Sequence, residues 1–251
     1  MNILEIENLR FAYPGIRKGD TAHEVLSGIS FTVEAGESIG LIGANGEGKS
    51  TLLKLICGLL EADSGTIRVC GAELSKDSLR AIRREIGFVF QDSDSQLFCN
   101  TVYDDVAFAP RNYGFSPQET EESVDQALTA VHLAHLKNRP VYRLSGGEKK
   151  LASIATVLSV RSKLLLLDEP SIALDPRNRH HLIDVVNTLS CAKLIASHDL
   201  DFIYDTCPRT LLLSQGTIPF IGDTRQILRD KNTLEAHSLE LPLSFSRTIN
   251  S

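Results

Sequence analysis

From Ile3 to Leu9 apolar and polar side chains alternate, the period-two pattern of a strand with one buried face. Ile29 to Val33 and Ser38 to Ile42 read as two further strands, joined through the turn pair Ala35-Gly36. After Gly48 the spacing changes, and Leu52, Leu53, Leu55, Ile56 and Leu59 recur at helical intervals. The chain thus predicts a strand, a glycine-rich loop and a helix in succession. Further on, Ser116-Pro117-Gln118-Glu119 combines a capping box with proline at the first helical position, and Val124, Leu128 and Val131 then share one face. This predicts a mostly helical insertion over 92–155. Strand-like runs return at Lys163 to Leu167, Leu194 to Ala196 and Thr210 to Leu213, separated by helix-like stretches. That alternation implies a largely parallel α/β core.

The expected organisation is a single domain. Its core comprises 1–91 and 156–227, the helical subdomain is 92–155, and 228–251 is a C-terminal tail whose last few residues alone are expected to lack a fold. With 251 residues, 42 % hydrophobic and 23 % charged, the chain is long and apolar enough to bury a core. Its net charge of -6 argues against a nucleic-acid partner, which needs a clustered excess of cations. The densest basic cluster, Arg80, Arg83 and Arg84, sits beside Glu85 and reads as a solvated helix face. Five cysteines without a C-x-x-C pair signal neither a disulfide framework nor a zinc site, and a reducing cytosol is the natural compartment. No apolar run approaches the ~18 residues of a membrane span. The pair His180-His181 reads as solvent-facing, since no ligand set with metal spacing surrounds it.

Three motifs carry chemistry. Gly43-Ala44-Asn45-Gly46-Glu47-Gly48-Lys49-Ser50, followed by Thr51, fits G-x-x-x-x-G-K-[ST], in which backbone N–H groups close around phosphate oxygens at a helix N-terminus. Lys49 would reach the β- and γ-phosphates of a nucleotide, and the Ser50 hydroxyl would ligate Mg²⁺. The run Leu164 to Leu167 ends in Asp168 and Glu169, as expected of a buried parallel strand delivering carboxylates to a site at its end. Asp168 suits a contact to Mg²⁺ through water, and Glu169 a general base or water-positioner. The third motif, Leu144-Ser145-Gly146-Gly147-Glu148, has two readings. Ser145 with Glu148 is a helix capping box. Yet two glycines in a first turn cost about 1 kcal/mol each relative to alanine, and their bare N–H groups make a second anion site. One triphosphate is already cradled by the first loop, so the second site most economically serves the nucleotide of a partner subunit.

With these motifs in order, the chain resembles the ABC ATPases over nearly its full length. The resemblance implies a P-loop NTPase of RecA-like core, a largely parallel sheet, an N-terminal antiparallel β subdomain and an inserted α-helical subdomain. It further implies that Tyr13 stacks on adenine, that Gln91 is the Q-loop glutamine and a Mg²⁺ contact, that Asp175 belongs to the D-loop, and that His198 is the switch histidine. Within the family, Gln91 to Phe98 and the stretch from Leu234 to Pro242 are similar to energy-coupling-factor ATPases of cobalt and nickel uptake. Leu151 stands where that group usually has arginine, and Asp92-Ser93 where it has Asn-Pro. The implied function is ATP hydrolysis with ATP and Mg²⁺ between two head-to-tail subunits, at the cytoplasmic face of a membrane, driving a transmembrane coupling protein and a substrate-binding component. A vitamin rather than a metal solute, and a soluble ABC ATPase of DNA repair or ribosomes, stand as alternatives. The latter usually carries two motif sets or a long coiled coil.

Overall fold

The computed structural model describes residues 1–15 and 22–246. The chain end beyond 246, including the residues expected to lack a fold, lies outside them. In chain order β1 (Asn2–Tyr13), β2 (His23–Glu34) and β3 (Ser38–Ile42) lead into α1 (Lys49–Ile56), β4 (Ser64–Val69), β5 (Ala72–Glu73), α2 (Leu79–Glu85) and β6 (Ile86–Val89). The helices α3 (Val102–Asn112), α4 (Pro117–Ala130) and α5 (Gly146–Leu158) intervene before β7 (Leu164–Asp168). Then come α6 (Pro176–Thr188), β8 (Ala192–Ala196), α7 (Leu200–Thr206), β9 (Arg209–Ser214) and β10 (Thr217–Asp223), and the short α8 (Thr224–Ile227), α9 (Lys231–Ala236) and α10 (Leu243–Ser246).

The strands form two sheets. An antiparallel sheet has the order β2-β1-β4-β5, and a six-stranded sheet the order β10-β9-β3-β8-β7-β6, parallel except for β10. The run at β7 explains the layering. Leu165 and Leu167 enter one core cluster with Val106, Val124, Leu128 and Ile154 of α3, α4 and α5, while Leu164 and Leu166 enter another with α1 and the antiparallel sheet. Both faces of the strand are therefore apolar, which is why its sequence shows no alternation. Parallel pairing also sets the ends of β3, β7 and β8 side by side, with Asp168 opposite Ala196 and Leu41 also opposite Ala196. Functional groups following these strands collect at one edge.

Some elements extend or differ from the expectation. β2 starts at His23 because it follows β1 through several register shifts, which carry a twisted ladder past the regular alternation. α5 continues to Leu158, since its later residues Ile154 and Ala155 are fully buried. The capping box before α4 is present, with Ser116 N donating to Glu119 Oε2 at 2.7 Å and Glu119 N to Ser116 Oγ at 3.2 Å. Of the basic cluster, Arg83 donates to the carbonyls of Cys57 and Gly58 at the end of α1, and Arg84 lies over the Tyr113 ring. His180 is exposed, but His181 is half-buried against His132, ring centroids 5.2 Å apart, so only the first of the pair faces solvent as expected. Among the described residues no helix is long and apolar enough to cross a membrane.

Two ion pairs of Arg179 join α6 to α7, the longer from Nη1 to Asp205 Oδ2 at 3.8 Å. Arg179 Nε and Nη2 donate to the two oxygens of Asp199 at 2.8 and 3.1 Å, and Asp199 also caps α7 by accepting from Phe202 N at 2.9 Å. Burial acts to raise the Asp199 carboxyl and is the largest single influence, but the hydrogen bonds from Arg179 and Phe202 N and the Arg179 charge together outweigh it and hold the group below its usual value. A depressed folded value means that the pair stabilises the fold above the unfolded carboxylate value of about 4 and that this contribution is lost as the pH falls through the folded one. Arg179→Met is expected to cost about 2 kcal/mol at pH 7, between an exposed pair and a fully buried one. Urea unfolding at pH 7 and pH 3 checks this: the gap between variant and wild type should narrow at the lower pH.

Candidate active site

The loop between β3 and α1 is shaped by contacts that exclude side chains. A Cβ at Gly43 would lie 2.4 Å from the Leu213 carbonyl oxygen, and Gly48 takes φ +99° with a Cβ position 2.6 Å from Val25 Cγ1. The loop is thereby pressed between β9 and β2, and α1 begins at Lys49. Lys49 Nζ donates to the carbonyls of Gly43 at 2.7 Å and Ala44 at 3.1 Å, so the loop folds back on its own lysine. Burial lowers the Lys49 ammonium from its usual value, opposed by the charges of Glu169, Asp168 and Glu47. Glu47 itself accepts from Gln215 N in the β9–β10 turn and braces the loop from outside.

At the end of β7, Asp168 Oδ1 accepts from Ser50 Oγ at 2.9 Å. Its carboxyl is raised, first by burial, then by the charge of Glu169, against the Ser50 hydrogen bond. A hydroxyl and a carboxylate meeting at the loop are the oxygen donors a Mg²⁺ ion takes, together with phosphate oxygens and water, so the donor set fits that ion. Glu169 follows in the left-handed region, φ +46°, where a side chain costs about 1 kcal/mol or more. Its N–H donates to Ala196 O at 2.8 Å, and three donors converge on its Oε2: Ser197 Oγ at 3.1 Å, His198 N at 3.2 Å and the His198 ring Nδ1 at 2.8 Å. The carboxylate is almost entirely buried, whereas the His198 side chain is 51 % exposed.

A cavity of about 550 Å³ is lined by Asn45, Gly46, Gly48, Lys49, Ser50, Thr51, Gln91, Glu169, Ile172 and His198. Most of the residues expected at one nucleotide therefore surround one space. Tyr13 stands at the end of β1, half-exposed, with its hydroxyl 3.1 Å from Thr51 Oγ1 and its ring edge-on to Phe11. Ser145, Gly146, Gly147 and Asp175 do not line that cavity. Gly146 opens instead onto a neighbouring one of about 420 Å³, shared with Gln91, Asp94, Lys149 and Ile172. Asp175 caps α6, accepting from Asn178 N at 2.9 Å and Asn178 Nδ2 at 2.7 Å.

The two glycines after Ser145 have different causes. Ser145 caps α5, with Ser145 N donating to Glu148 Oε2 at 2.7 Å. A Cβ on Gly147 would lie 2.4 Å from Asn178 Cγ, so packing against α6 within the chain accounts for it. At Gly146 a Cβ would meet nothing within 4 Å. Of the two glycines, Gly146, exposed beside Ser145, is the one that packing within the chain does not explain. Sequence reasoning missed Ser197, Ile172, Gln215 and Arg179. The first two are adjacent to motif residues and so were within reach, but Gln215 and Arg179 are joined to the site only by the fold.

The ABC transporter family profile matches residues 26–172. A putative ABC transporter ATP-binding protein of Streptomyces avermitilis is 43% identical over 96% of this chain and 90% of its own length. The energy-coupling factor transporter ATP-binding protein EcfA of Carboxydothermus hydrogenoformans is 37% identical over 97% of this chain and 89% of its own. Among solved structures, CbiO1 of Clostridium perfringens, described as part of the ABC transporter complex CbiONQ, superposes with a TM-score of 0.82 at 32% identity, covering 94% of both chains. Loop, carboxylates and relatives agree: the chain belongs to the ABC transporter family, as one of its ATP-hydrolysing, ATP-binding subunits.

Proposed function

We propose that this subunit drives an importer of the energy-coupling-factor type, with ATP held between two copies of the chain. The observation that carries the composite site is the division of motif residues between two surfaces. Lys49, Ser50, Glu169 and His198 converge on one cavity, while Ser145 and Gly146 are exposed outside its lining, where Gly146 has room for a ligand seated elsewhere. A second subunit turned head to tail would place its phosphate loop against that turn. The similarity to EcfA and CbiO1 supports an energy-coupling-factor type transporter with membrane partners, while import at the cytoplasmic side and cobalt or nickel ions as the solute follow from the resemblance of Gln91 to Phe98 and of Leu234 to Pro242.

In this reading Tyr13 holds the adenine and the loop N–H groups and Lys49 hold the phosphates. Ser50, Gln91 and, through water, Asp168 would hold Mg²⁺, which neutralises charge developing on the transferred phosphoryl group. Glu169 orients water or takes its proton. Because Ser197 and His198 occupy Oε2, Oε1 is the oxygen to which that water donates. Facing a carboxylate, which accepts, His198 Nδ1 donates to Glu169, and its exposed ring is the group that meets the γ-phosphate. Asp175 meets the partner subunit. The segment 92–155 transmits closure to the membrane subunits, and its exposed aromatic pair Phe98 and Phe108, centroids 4.8 Å apart, supports a docking role.

Glu169→Gln is expected to keep ATP binding and slow hydrolysis by about 10² to 10⁴, read as phosphate release, and wild-type turnover would remove the assignment. Lys49→Ala should weaken nucleotide binding itself. Tyr13→Ala should weaken it by about 1 to 3 kcal/mol, the range of base stacking. Phe at this position loses only the hydrogen bond to Thr51 and should keep most of the affinity; equal losses for Ala and Phe in a titration with labelled ATP would refute stacking. Ser145→Arg and Lys49→Ala chains, each inactive alone, should recover activity when mixed, since one site of the mixed dimer is intact. ATPase rate against mixing ratio, with ATP-driven dimerisation measured in parallel, decides it, and a flat rate with normal dimerisation argues against the composite site. For the solute, uptake of labelled cobalt or nickel against labelled vitamins into vesicles holding the membrane partners separates the two classes.

A further inference from the structure

A lysine buried in the hinge between the core and the helices has no place in the mechanism above. Lys150, in the first turns of α5, is 3 % exposed. Among the described residues its ammonium pairs with no carboxylate; Nζ donates to the carbonyls of Phe90 at 2.9 Å and Gln91 at 2.7 Å. Burial pushes it down to about 8, against the pull of Asp168 and Asp92. Burying a cation costs several kcal/mol that an apolar side chain of like volume would not incur, so the two carbonyls need a reason to be held. They lie where the chain leaves β6, whose last residue is Val89. A second tie reaches the same point: Phe90 N donates to Gln96 Oε1, and Gln96 Nε2 donates to Ser153 O and Thr156 Oγ1 of α5, each at 2.9 Å. The backbone at Gln91 is thereby fastened to α5 at two levels. The free end of that helix is the Ser145 turn.

We infer that Lys150 is a positioning residue that makes the placement of Gln91 at its own subunit's nucleotide follow the docking of the Ser145 turn on the nucleotide of a second copy. The inference rests on the composite-site reading and on Gln91 contacting Mg²⁺. A helix is stiff along its axis, so a shift at Ser145 is carried to Lys150, little more than one turn along, and from there to the carbonyls it holds. Occupancy of one site would in this way set the geometry of the other. Charge-assisted bonds suit the task, being about twice as strong as neutral ones.

The test uses the full chain purified with its accompanying membrane proteins, and a double-mutant cycle of Lys150→Met with Gln91→Ala. Lys150→Met is expected to lower kcat by about tenfold or more, raise the Mg²⁺ concentration for half-maximal turnover about fivefold, and leave KM for ATP within about twofold. Lys150→Arg, which keeps a cation at the carbonyls, should recover kcat to within about threefold. On the Gln91→Ala background Lys150→Met should change kcat by less than about twofold, because the group it positions is gone. Additive losses there, or wild-type kcat and Mg²⁺ dependence in Lys150→Met, would overturn the inference. Wild-type turnover in Gln91→Ala alone would instead overturn the role given to Gln91, and the inference with it. If Lys150→Met is unfolded by circular dichroism, Gln96→Leu cuts the other tie and enters the same cycle with the same expectations.

Discussion

The site depends on a buried ammonium that has to be neutralised locally. Lys49 is 7 % exposed, and the loop that carries it must curl so that two of its own carbonyls accept from Nζ. Around it stand Asp168, Glu169 and Glu47, whose charges act on Lys49, while Lys54 and Lys150 also act on Asp168. This cluster of carboxylates disfavours a bare triphosphate. It suits a triphosphate arriving with a divalent cation, because Ser50 and Asp168 supply hard oxygen donors at the same place. The donor set at Ser50 and Asp168 thus fits Mg-bound nucleotide, and the loop geometry follows from holding Lys49 beside it.

Around that centre the fold places rigid supports. Glu169 sits in a costly backbone conformation that persists because its N–H and carboxylate are held to the end of β8 and the residues after it. The same short segment, Ser197 to Asp199, orients Glu169 and, through Asp199, clamps Arg179 of α6. Asp175 caps the helix from which Arg179 comes, so a push on Asp175 from a neighbouring subunit meets a braced helix. On the other side α5 is tied to Gln91 by Lys150 and Gln96. Both surfaces proposed to meet a second copy are thus tied to the segment that holds Glu169 or to the backbone of Gln91.

Much of this was legible in the sequence because its causes are local. The glycine loop, the strand ending in Asp168 and Glu169, and the capping boxes at Ser116 and Ser145 are written in residues a few positions apart, where chain geometry leaves little choice. The parallel core was legible for a related reason, since a strand apolar on both faces cannot sit at a surface. Short edge strands such as β5 and β6 offered too few residues for a period.

What the sequence by itself determined is where the chemical groups stand: a glycine loop ending in Lys49 and Ser50, two carboxylates at the end of an apolar strand, and a capped turn with two glycines. Tertiary structure alone decided which donors hold that base, that Gly147 answers to Asn178 while Gly146 answers to nothing in the chain, and that Glu47 braces the loop through Gln215, 168 residues away. It also decided that His181 is packed against His132 and that Lys150 is buried against the carbonyls of Phe90 and Gln91. Periodicity records which face of an element is covered. The partner on that face, and the direction of each hydrogen bond, are set only when distant segments close upon one another and every buried polar group finds its counterpart.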